Sequence, residues 1–386
     1  MRRLVLFFDL YDSLRREEEW GLLLREMAPF ERLLENGSFD EVCCFTYDDR
    51  DHDKLAELKR DKAIANNVTV LTPPRMLRSP AGAVVYSIVG PFLHYRTIAQ
   101  ATVLRTQQVS GAWTALIARL ATGTPLLFRL GYPLSIRFKT EGKRLKHFIA
   151  LAVEWLLVRF ADRVAVTSRA MQTYYGRMSP RARIDVLPSY VDIGGFSPIG
   201  TYDAARPILF VGRLAPVKNV AGLILACSRL KISLHIYGDG PLKDDLERQA
   251  RTCGAAVVFS GVVPNSELAR IHHDHTIFVL CSTREGMPKS MIEAMASGLI
   301  CVSTPTDGAR ELIEDGQTGY LTDGFDADAI ERTLREVLDA IDPEVGRRAS
   351  AIIRENNSLE RAVEMEGAIL DGIARDHRAP ATAQTD

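Results

Sequence analysis

Cysteine is scarce in this sequence, and its spacing fits neither a metal site nor a redox pair. The 386 residues include six cysteines, which lie singly or side by side without a Cys-x-x-Cys pair. Several fall inside apolar runs typical of strands. We therefore interpret them as small buried hydrophobes in a protein of a reducing compartment.

The sequence also lacks an apolar run long enough to cross a membrane. A membrane-spanning helix needs roughly 20 apolar residues, and the run at 143–160 is far short of that. The run at 4–8 stops too soon for a signal peptide and predicts the first core strand. With 46% hydrophobic and 25% charged residues, the composition is typical of a soluble cytoplasmic enzyme large enough for two domains.

Acidic residues are rare in one long stretch of the first half. Between residues 75 and 183 only Glu141, Glu154 and Asp162 are acidic. Residues 1–190 contain 28 lysines and arginines against 20 acidic residues, so this half carries +8 and the remainder −9, although the whole chain carries −1. Such a basic half suits an anionic surface or ligand.

Two carboxylates in the second half have a spacing that suits a nucleotide-sugar. An apolar run at 276–280 predicts a buried strand, and Pro288 is suited to the first position of a following helix. Glu285 would lie at the end of the strand and Glu293 about a turn and a half into the helix, both facing the crevice where open α/β sheets bind ligands. The helix N-terminus between them, at 287–290, favours phosphate.

Cations and glycines follow two earlier predicted strands. Arg213 can fork onto phosphate oxygens and Lys218 adds a point charge, so together they would neutralise a leaving diphosphate. Gly238 and Gly240 allow the backbone to approach a ligand closely. Features of this kind at three successive strand ends predict one binding site.

These motifs resemble the retaining glycosyltransferases of family 4, the glycosyl transferases group 1, which have the GT-B fold. The resemblance rests on Gly212-Arg213-Leu214 with Lys218, on Gly238-Asp239-Gly240-Pro241, and on residues 285–298. It covers nearly all of the second half and reaches residues 161–168. It implies an α/β protein of two Rossmann-like parallel domains facing across a cleft, with a C-terminal helix that crosses back to the first domain.

The resemblance also implies roles for individual residues. Arg213 and Lys218 would bind the donor diphosphate, Glu285 the sugar hydroxyls and Glu293 the ribose, and the first three form the expected catalytic set. The donor-binding set that it implies is Gly212, Arg213, Lys218, Gly238, Gly240, Val262, Glu285, Gly286, Met287, Pro288, Lys289, Ser290 and Glu293. The family usually needs no metal, so we expect no metal and no cofactor besides the donor.

The predicted domains follow the alternation of apolar runs and helical patterns. Residues 1–190 form the expected acceptor-binding domain and 191–355 the donor-binding domain, with a Pro- and Gly-rich linker between them. Residues 356–376 are the expected C-terminal helix and 377–386 a disordered tail. The predicted strands are 4–8, 42–47, 68–71, 101–105, 125–129, 164–167, 207–211, 233–237 and 276–280.

The expected activity is transfer of a sugar, with retention, from a nucleotide-sugar to an acceptor hydroxyl in cell-envelope polysaccharide or glycolipid assembly. Two alternatives stay open: a nucleotide-sugar epimerase or hydrolase of the same fold, and a non-catalytic binding subunit. The sequence does not decide between UDP, GDP and ADP as the donor nucleotide, and it does not indicate the sugar or the acceptor. Nucleic acid is not an expected partner.

The first half departs from the family at the acceptor side. Most members have glycines in the loop after the first strand, where this chain has Asp9 and Asp12. Many have a histidine after the strand predicted at 125–129, where this chain has Arg129 and Tyr132. We take Asp9, Arg129 and Tyr132 as candidate cleft residues.

Three further features have a functional and a structural interpretation. Residues 272–275, His-His-Asp-His, fit a solvated helix end better than a metal site, because neighbouring helical residues point in different directions. The acidic residues of 48–53 fit an exposed loop better than a metal-binding Asp-x-Asp. The basic and apolar run at 143–160 fits a buried helix and a face on an anionic membrane equally well, and the two can coexist.

Overall fold

The structure is a computed structural model that describes residues 1–19 and 21–378. Contacts divide the chain into two compact units. Residues 1–187, with the residues from Ala362 onward, form the first unit, and Pro188–Arg361 form the second. Each unit has its own hydrophobic core around a parallel sheet, because both faces of such a sheet must be covered.

The first unit contains a seven-stranded sheet in the order β3-β2-β1-β4-β5-β6-β7, paired in parallel throughout. Its strands are β1 Arg3–Phe7, β2 Glu41–Phe45, β3 Val68–Leu71, β4 Val103–Thr106, β5 Leu126–Leu130, β6 Arg163–Val166 and β7 Ile184–Val186. The six strands predicted here are confirmed to within two residues. The sequence does not predict β7, whose three residues are only half-buried and lack an apolar run.

Helices of the first unit pack against this sheet around large aromatic side chains such as Phe45, Tyr86 and Phe128, which are buried. The helices are α1 Leu14–Glu19, α2 Leu23–Glu35, α3 Asp51–Arg60, α4 Pro80–Leu93, α5 Tyr95–Ala99, α6 Ala112–Thr122, α7 Leu134–Thr140, α8 Arg144–Phe160 and α9 Arg169–Met178. Ser79 caps α4 by accepting from the Gly82 N–H, and Ser168 caps α9 in the same way from Met171, as N-cap serines commonly do.

The C-terminal helix packs on the first unit, the arrangement that the resemblance implies. It spans Leu359–Arg378 and is numbered α17 below. Its Glu366 accepts a hydrogen bond of 2.6 Å from Arg105 on β4, and both side chains are almost fully buried. The helix continues past residue 377, where the tail was predicted to begin, and residues 379–386 lie outside the described residues.

The second unit contains a six-stranded sheet in the order β10-β9-β8-β11-β12-β13. Its strands are β8 Ile208–Val211, β9 Leu234–Tyr237, β10 Val257–Gly261, β11 Ile277–Leu280, β12 Ile300–Ser303 and β13 Tyr320–Leu321. The predictions for β8, β9 and β11 are confirmed. The other three are not among the predicted strands, and β10 in particular lies at the sheet edge with alternate residues exposed.

Seven helices of the described chain complete the second unit: α10 Val220–Leu230, α11 Lys243–Thr252, α12 Asn265–His273, α13 Lys289–Ala296, α14 Asp307–Leu312, α15 Ala327–Asp339 and α16 Pro343–Asn356. The chain proceeds outward from β8 to β10 and then returns to place β11 on the other side of β8. The first sheet reverses in the same way between β1 and β4. Open α/β sheets bind ligands at such reversals, at the carboxyl ends of the strands.

Candidate functional site

The loops after β8 and β11 meet where the order of the second sheet reverses. The ammonium nitrogen of Lys218 lies 2.6 Å from Glu285 Oε1, and the Ser282 hydroxyl donates to the same oxygen at 2.6 Å. The two charged side chains stay 19% and 15% exposed. A cation and a carboxylate thus remain within reach of a ligand.

The backbone holds Lys218 in this position. Lys218 ends a short 3₁₀ helix, Pro216–Lys218, and Asn219 follows with a left-handed φ of 50°. The Thr283 N–H donates to the Val217 carbonyl at 2.8 Å and so joins the loops after the two strands. Asparagine tolerates the left-handed region better than most residues. An asparagine directly after Lys218 therefore suits the backbone conformation of this turn.

Arg213, in the same loop as Lys218, is exposed. Within the described chain its side chain has no recorded hydrogen bond or ion pair. A guanidinium without an intramolecular partner is available to an external anion. Its planar donor groups suit the oxygens of a phosphate.

Gly238 and Gly240 bring the loop after β9 against the loop after β8. A Cβ at Gly238, whose φ is 142°, would overlap the Gly212 carbonyl oxygen, and one at Gly240 would overlap the backbone of Leu214. The Leu214 N–H donates to the Asp239 carbonyl at 2.9 Å across this contact. Close approach therefore occurs between the two loops, and a direct role of these glycines with the donor remains a prediction.

Helix α13 begins beside Glu285 and carries Glu293. Pro288 is its N-cap rather than its first helical residue, and the helix starts at Lys289, so Glu293 lies about one turn inside it. Glu293 is 4% exposed and accepts a hydrogen bond of 3.0 Å from the Asn265 side chain. Asn265, the first residue of α12, was not among the predicted site residues, since nothing in the sequence pairs it with Glu293.

The remaining predicted donor residues surround these elements. Gly286 lies against Gly308 at the start of α14, where a Cβ on Gly308 would overlap the Gly286 carbonyl. Met287 Sδ is 3.1 Å from the Ser189 backbone nitrogen. The Lys289 ammonium stands 5.4 Å from the centre of the Tyr190 ring. Ser290 follows Lys289 in the first turn of α13, and Val262 is strongly exposed after β10.

This arrangement can bind an anion next to hydroxyl groups. Arg213 and Lys218 supply positive charge, and Glu285 offers carboxylate oxygens to hydroxyl donors. No group of histidine, cysteine, aspartate or glutamate that fits a metal ion occurs among the described residues.

The reversal point of the first sheet has a different chemistry, dominated by buried acids. Burial raises the pKa of Asp9, after β1, to about 8, and the nearby Asp12 and Glu26 carboxylates add to the rise. The pKa of Glu17 is raised to about 8 for the same reasons, although Gln107 donates to its Oε1 at 3.3 Å. Asp9 Oδ1 and Glu17 Oε2 have no hydrogen-bond partner within the described chain.

The other two candidate cleft residues lie at the end of β5 and just after it, in the same sheet. Arg129 lies in β5, and its Nε is buried without a hydrogen-bond partner among the described residues. Tyr132 comes two residues after the end of β5 and is half-buried. Glu17 and Gln107 join this edge without having been predicted, because Glu17 belongs to a highly charged helix whose sequence pattern does not distinguish it.

The interpretation of the histidine run as a solvated helix end holds only for His273 and Asp274, which end α12 and are exposed. His272 and His275 are each 1% exposed. His272 Nδ1 lies 2.8 Å from the Ser297 hydroxyl, while His275 Nε2 lies 3.0 Å from His235 Nδ1. Burial lowers the pKa of both histidines, which indicates neutral packing side chains.

The acidic run at 48–53 is also only partly the exposed loop that we expected. Asp51 is fully buried and accepts hydrogen bonds from the backbone N–H groups of Leu14 and Arg15. It therefore caps α1, because a helix N-terminus has unpaired N–H donors. Asp48 and Asp49 form ion pairs with Arg50 and Arg78.

Helix α8, from the run at 143–160, is buried on one side and exposed on the other. Ala150, Glu154, Leu157 and Val158 are buried, whereas Leu145, Phe148 and Ile149 are more than half exposed beside basic residues. The core-facing interpretation thus holds for one side of the helix. No helix in the described chain has the length and apolar character of a membrane span.

Two protein-family models match this chain. The model described as "Glycosyl transferases group 1" matches residues 197–352, and "Glycosyl transferase 4-like domain" matches residues 30–189. The first match includes the loops that carry Lys218 and Glu285.

Curated relatives are similar over parts of the chain. A GDP-mannose-dependent alpha-(1-6)-phosphatidylinositol monomannoside mannosyltransferase of Mycolicibacterium smegmatis is 31% identical over 272 residues, 63% of this chain and 70% of the relative. An alpha-1,4-N-acetyl-D-galactosaminyltransferase of Campylobacter jejuni, named for a diNAcBac-PP-undecaprenol substrate, is 28% identical over 47% of this chain and 51% of its own length.

Solved structures share the fold over almost the whole chain. Anabaena HepE, determined in complex with UDP and glucose, aligns with a TM-score of 0.73 at 19% identity, covering 96% of this chain and 99% of that one. Sucrose-phosphate synthase of Thermosynechococcus elongatus aligns with a TM-score of 0.77 at 18% identity, covering 97% and 100%.

Proposed function

This chain belongs to the glycosyl transferases group 1 family with the GT-B fold, and we propose that it is a retaining enzyme using a nucleotide-sugar. It transfers the sugar from a nucleoside-diphosphate donor to a hydroxyl of a lipid-linked glycan, in the assembly of glycolipid or polysaccharide. The observation that carries the proposal is the loop pair of the second unit, where Lys218 contacts Glu285 and the loop of Lys218 also carries the exposed Arg213.

The donor diphosphate is stabilised as it leaves. Arg213 and Lys218 place two positive charges where negative charge develops on the diphosphate, and preorganised charges of this kind commonly contribute several kcal/mol to the transition state. When the diphosphate takes the Lys218 charge, Glu285 is released to accept hydrogen bonds from donor sugar hydroxyls. Glu293 accepts from the ribose. The donor is the only small molecule required, and no metal takes part.

The acceptor is membrane-borne. Relatives of this chain are named for phosphatidylinositol and undecaprenol substrates, which supports a lipid-linked acceptor. The basic first unit and the exposed apolar residues beside Lys143, Arg144 and Lys146 on and before α8 suit peripheral binding to an anionic leaflet, since basic residues near such a surface contribute about 1 kcal/mol each. The enzyme therefore works at the cytoplasmic face of the membrane.

A donor screen tests the first part. Thermal shift with UDP-, GDP- and ADP-sugars identifies the donor, and NMR of the product gives its anomeric configuration. Glu293→Ala is expected to weaken nucleotide binding, because charge-assisted hydrogen bonds are lost, and Glu285→Gln to lower kcat more than affinity. Glu267→Gln, an exposed carboxylate on α12, is the control. Unchanged kinetics in both site variants would refute the assignment.

Nucleotide release separates transfer from the alternatives. A transferase releases the diphosphate when acceptor is added, whereas a hydrolase releases it without acceptor and an epimerase does not release it. A non-catalytic subunit is disfavoured because the chain has all four candidate residues, Arg213, Lys218, Glu285 and Glu293. Activity that disappears with a chelator and returns with magnesium would show that a metal is required.

Vesicle sedimentation tests the membrane part. Binding is expected to rise with anionic lipid, to fall with salt, and to drop when Lys139, Lys143, Arg144 and Lys146 are changed to Glu. The control reverses exposed charges of the second unit at Lys231, Arg248, Arg251 and Arg270. Equal recovery in the supernatant under all conditions would favour a soluble acceptor.

A further inference from the structure

We propose that a polar cavity at the carboxyl ends of β1, β2 and β3, together with the outward face of α4, binds the acceptor as an amphiphile. A sugar of the acceptor occupies the cavity, and the lipid lies along the helix in the membrane surface. The inference rests on the proposed function for its choice of acceptor, and it concerns residues that were not among the candidate cleft residues Asp9, Arg129 and Tyr132.

The cavity has a volume of about 450 Å³, within the range of roughly 300–1,000 Å³ typical of small-molecule sites. Its walls come from the loops after β1 and β2 and from the start of α4. Tyr11, 44% exposed, stands at its edge with a left-handed φ of 71°. An exposed aromatic ring held in an unfavourable backbone conformation is a candidate for stacking on a sugar face.

Most charged groups of the cavity are paired with one another, and Arg16 donates to the Tyr11 carbonyl. Arg50 Nε donates to Asp48 Oδ1 at 2.9 Å and its Nη2 to Oδ2 at 2.8 Å, and Arg78 binds both oxygens of Asp49. Arg15 lies 3.6 Å from Asp48. A free phosphate would meet these carboxylates as well as the guanidinium groups. Planar donors and acceptors that are paired in this way suit the hydroxyls of a sugar, which both donate and accept hydrogen bonds.

Helix α4 connects the cavity to an apolar surface. Ser79, Pro80 and Ala83, at its start, line the cavity. From the next residue onward the outward positions are all apolar and exposed: Val84, Val85, Ile88, Val89, Phe92 and Leu93. The helix has no charged residue in its 14 positions, which correspond to about 21 Å.

The opposite side of α4 fixes its orientation. Tyr86 is fully buried and stacks on Phe45 with ring centres 4.8 Å apart. A Cβ at Gly90 would come within 2.6 Å of the Phe45 ring, so the glycine allows this close packing. The buried side of α4 therefore packs closely on Phe45, and this contact fixes the orientation of the apolar outward face.

Charge complementarity identifies a membrane as the surface that covers this face. Arg75, Arg78 and Arg96 flank α4, and no acidic residue occurs between residues 75 and 140. An apolar helix face bordered by cations is suited to the boundary of headgroups and acyl chains in an anionic leaflet. A lipid-linked sugar presents the same sequence of chemistry, with a polar head followed by a chain.

The membrane arm of the test uses two leucines that are both 57% exposed, Leu93 on α4 and Leu24 on α2. In flotation with vesicles of phosphatidylcholine and phosphatidylglycerol, Leu93→Asp is expected to lower the bound fraction roughly tenfold, because an apolar contact is replaced by a charge. Leu24→Asp is expected to leave it unchanged. If Leu93→Asp binds vesicles as well as the native chain does, or if it instead dissociates a dimer in sedimentation velocity, the membrane assignment is overturned.

The cavity arm uses binding, so its outcome does not depend on transfer activity. Saturation-transfer NMR with methyl glycosides of glucose, galactose, mannose and N-acetylgalactosamine is expected to show contact for at least one of them. Tyr11→Asn, which tolerates the same backbone conformation, is expected to reduce that signal at least fivefold without changing nucleotide affinity. Inorganic phosphate that binds while every glycoside fails would overturn the sugar assignment. A chain that binds glycoside and vesicles but transfers nothing would contradict the proposed function alone.

Discussion

Two ion pairs, one in each unit, have the same length and opposite surroundings. Arg105 and Glu366 of the first unit lie 2.6 Å apart with side chains 4% and 1% exposed, and Lys218 and Glu285 of the second unit lie 2.6 Å apart but stay open to solvent. The first pair attaches the C-terminal helix to β4. The second stands at a strand end with Arg213 beside it. Burial, rather than distance, separates a pair that stabilises the fold from one that can exchange its partner for a ligand.

The largest expected effect comes from breaking the buried ion pair between Arg105 and Glu366. Glu366→Ala leaves the Arg105 guanidinium buried without its carboxylate, and loss of one partner of a buried pair typically costs about 3–5 kcal/mol. We expect chemical denaturation to show this loss in the free energy of unfolding of the first unit. Glu364→Ala, an exposed neighbour on the same helix, is the control. A loss no larger than that of the control would show that α17 is held by apolar packing alone.

Breaking the open pair is expected to act on turnover instead. Lys218→Ala and Arg213→Ala should each remove about 2.7–4 kcal/mol of transition-state stabilisation and lower kcat by about two to three orders of magnitude. The unfolding free energy should change by less than about 1 kcal/mol, because partly exposed pairs contribute little. Steady-state kinetics and denaturation of the same samples check both statements. A Lys218 variant that loses stability and keeps its kcat would show that the Lys218–Glu285 pair is structural, as the Arg105–Glu366 pair is.

A glycine pair sharpens the comparison at the level of the backbone. Gly238 and Gly254 both have positive φ, but only a Cβ at Gly238 would overlap another loop. Gly254→Ala should cost about 1 kcal/mol from backbone strain alone. Gly238→Ala should cost about 2 kcal/mol or more, since steric overlap is added. Equal losses in thermal unfolding would mean that the loop after β8 moves away without cost.

The last expected effect is a pH dependence of the first unit. The pKa of Glu17 in the folded state is raised to about 8, above the value of about 4.3 for an unfolded chain. The folded state thus holds a proton that the unfolded state has released, so stability is fully present below about pH 4 and falls as pH rises toward 8. Glu17→Gln should make this fall smaller and stabilise the chain at pH 8, while Asp9, whose pKa is also raised to about 8, keeps part of the fall. A native chain equally stable at pH 5 and pH 8 would contradict the raised pKa.

The proximity of the candidate site residues in the second unit was predictable because they are close in sequence. Lys218 follows Arg213 by a few residues, and Glu285 to Glu293 span one loop and one helical turn, so strand periodicity alone places them at one sheet edge. Their neighbours Asn265 and Ser282 were not predictable. Asn265 meets Glu293 only because α12 returns beside α13, and no local pattern encodes that contact.

The first unit was less predictable at the level of side chains. Its strands follow from apolar runs, yet Asp51 was taken for a loop residue although it caps α1 from a distant part of the chain. The second unit has a parallel case, since His272 was taken for a solvated residue although it is buried against Ser297. In both cases a polar side chain can be buried because it forms a hydrogen bond with a residue distant in sequence. Hydrophobic periodicity carries no information about such hydrogen bonds.

By itself the sequence determined the class of fold, most strands, and the placement of the candidate cations and carboxylates at strand ends of the second sheet, because those features depend on local periodicity and on short spacings. Tertiary structure decided which charged side chains are buried and which remain partly exposed, and how closely Gly238 packs against Gly212. It also decided that the uncharged helix α4 exposes six apolar side chains beside a polar cavity. Burial depends on what packs on each side of an element, and packing between distant segments is settled only when the sheet assembles.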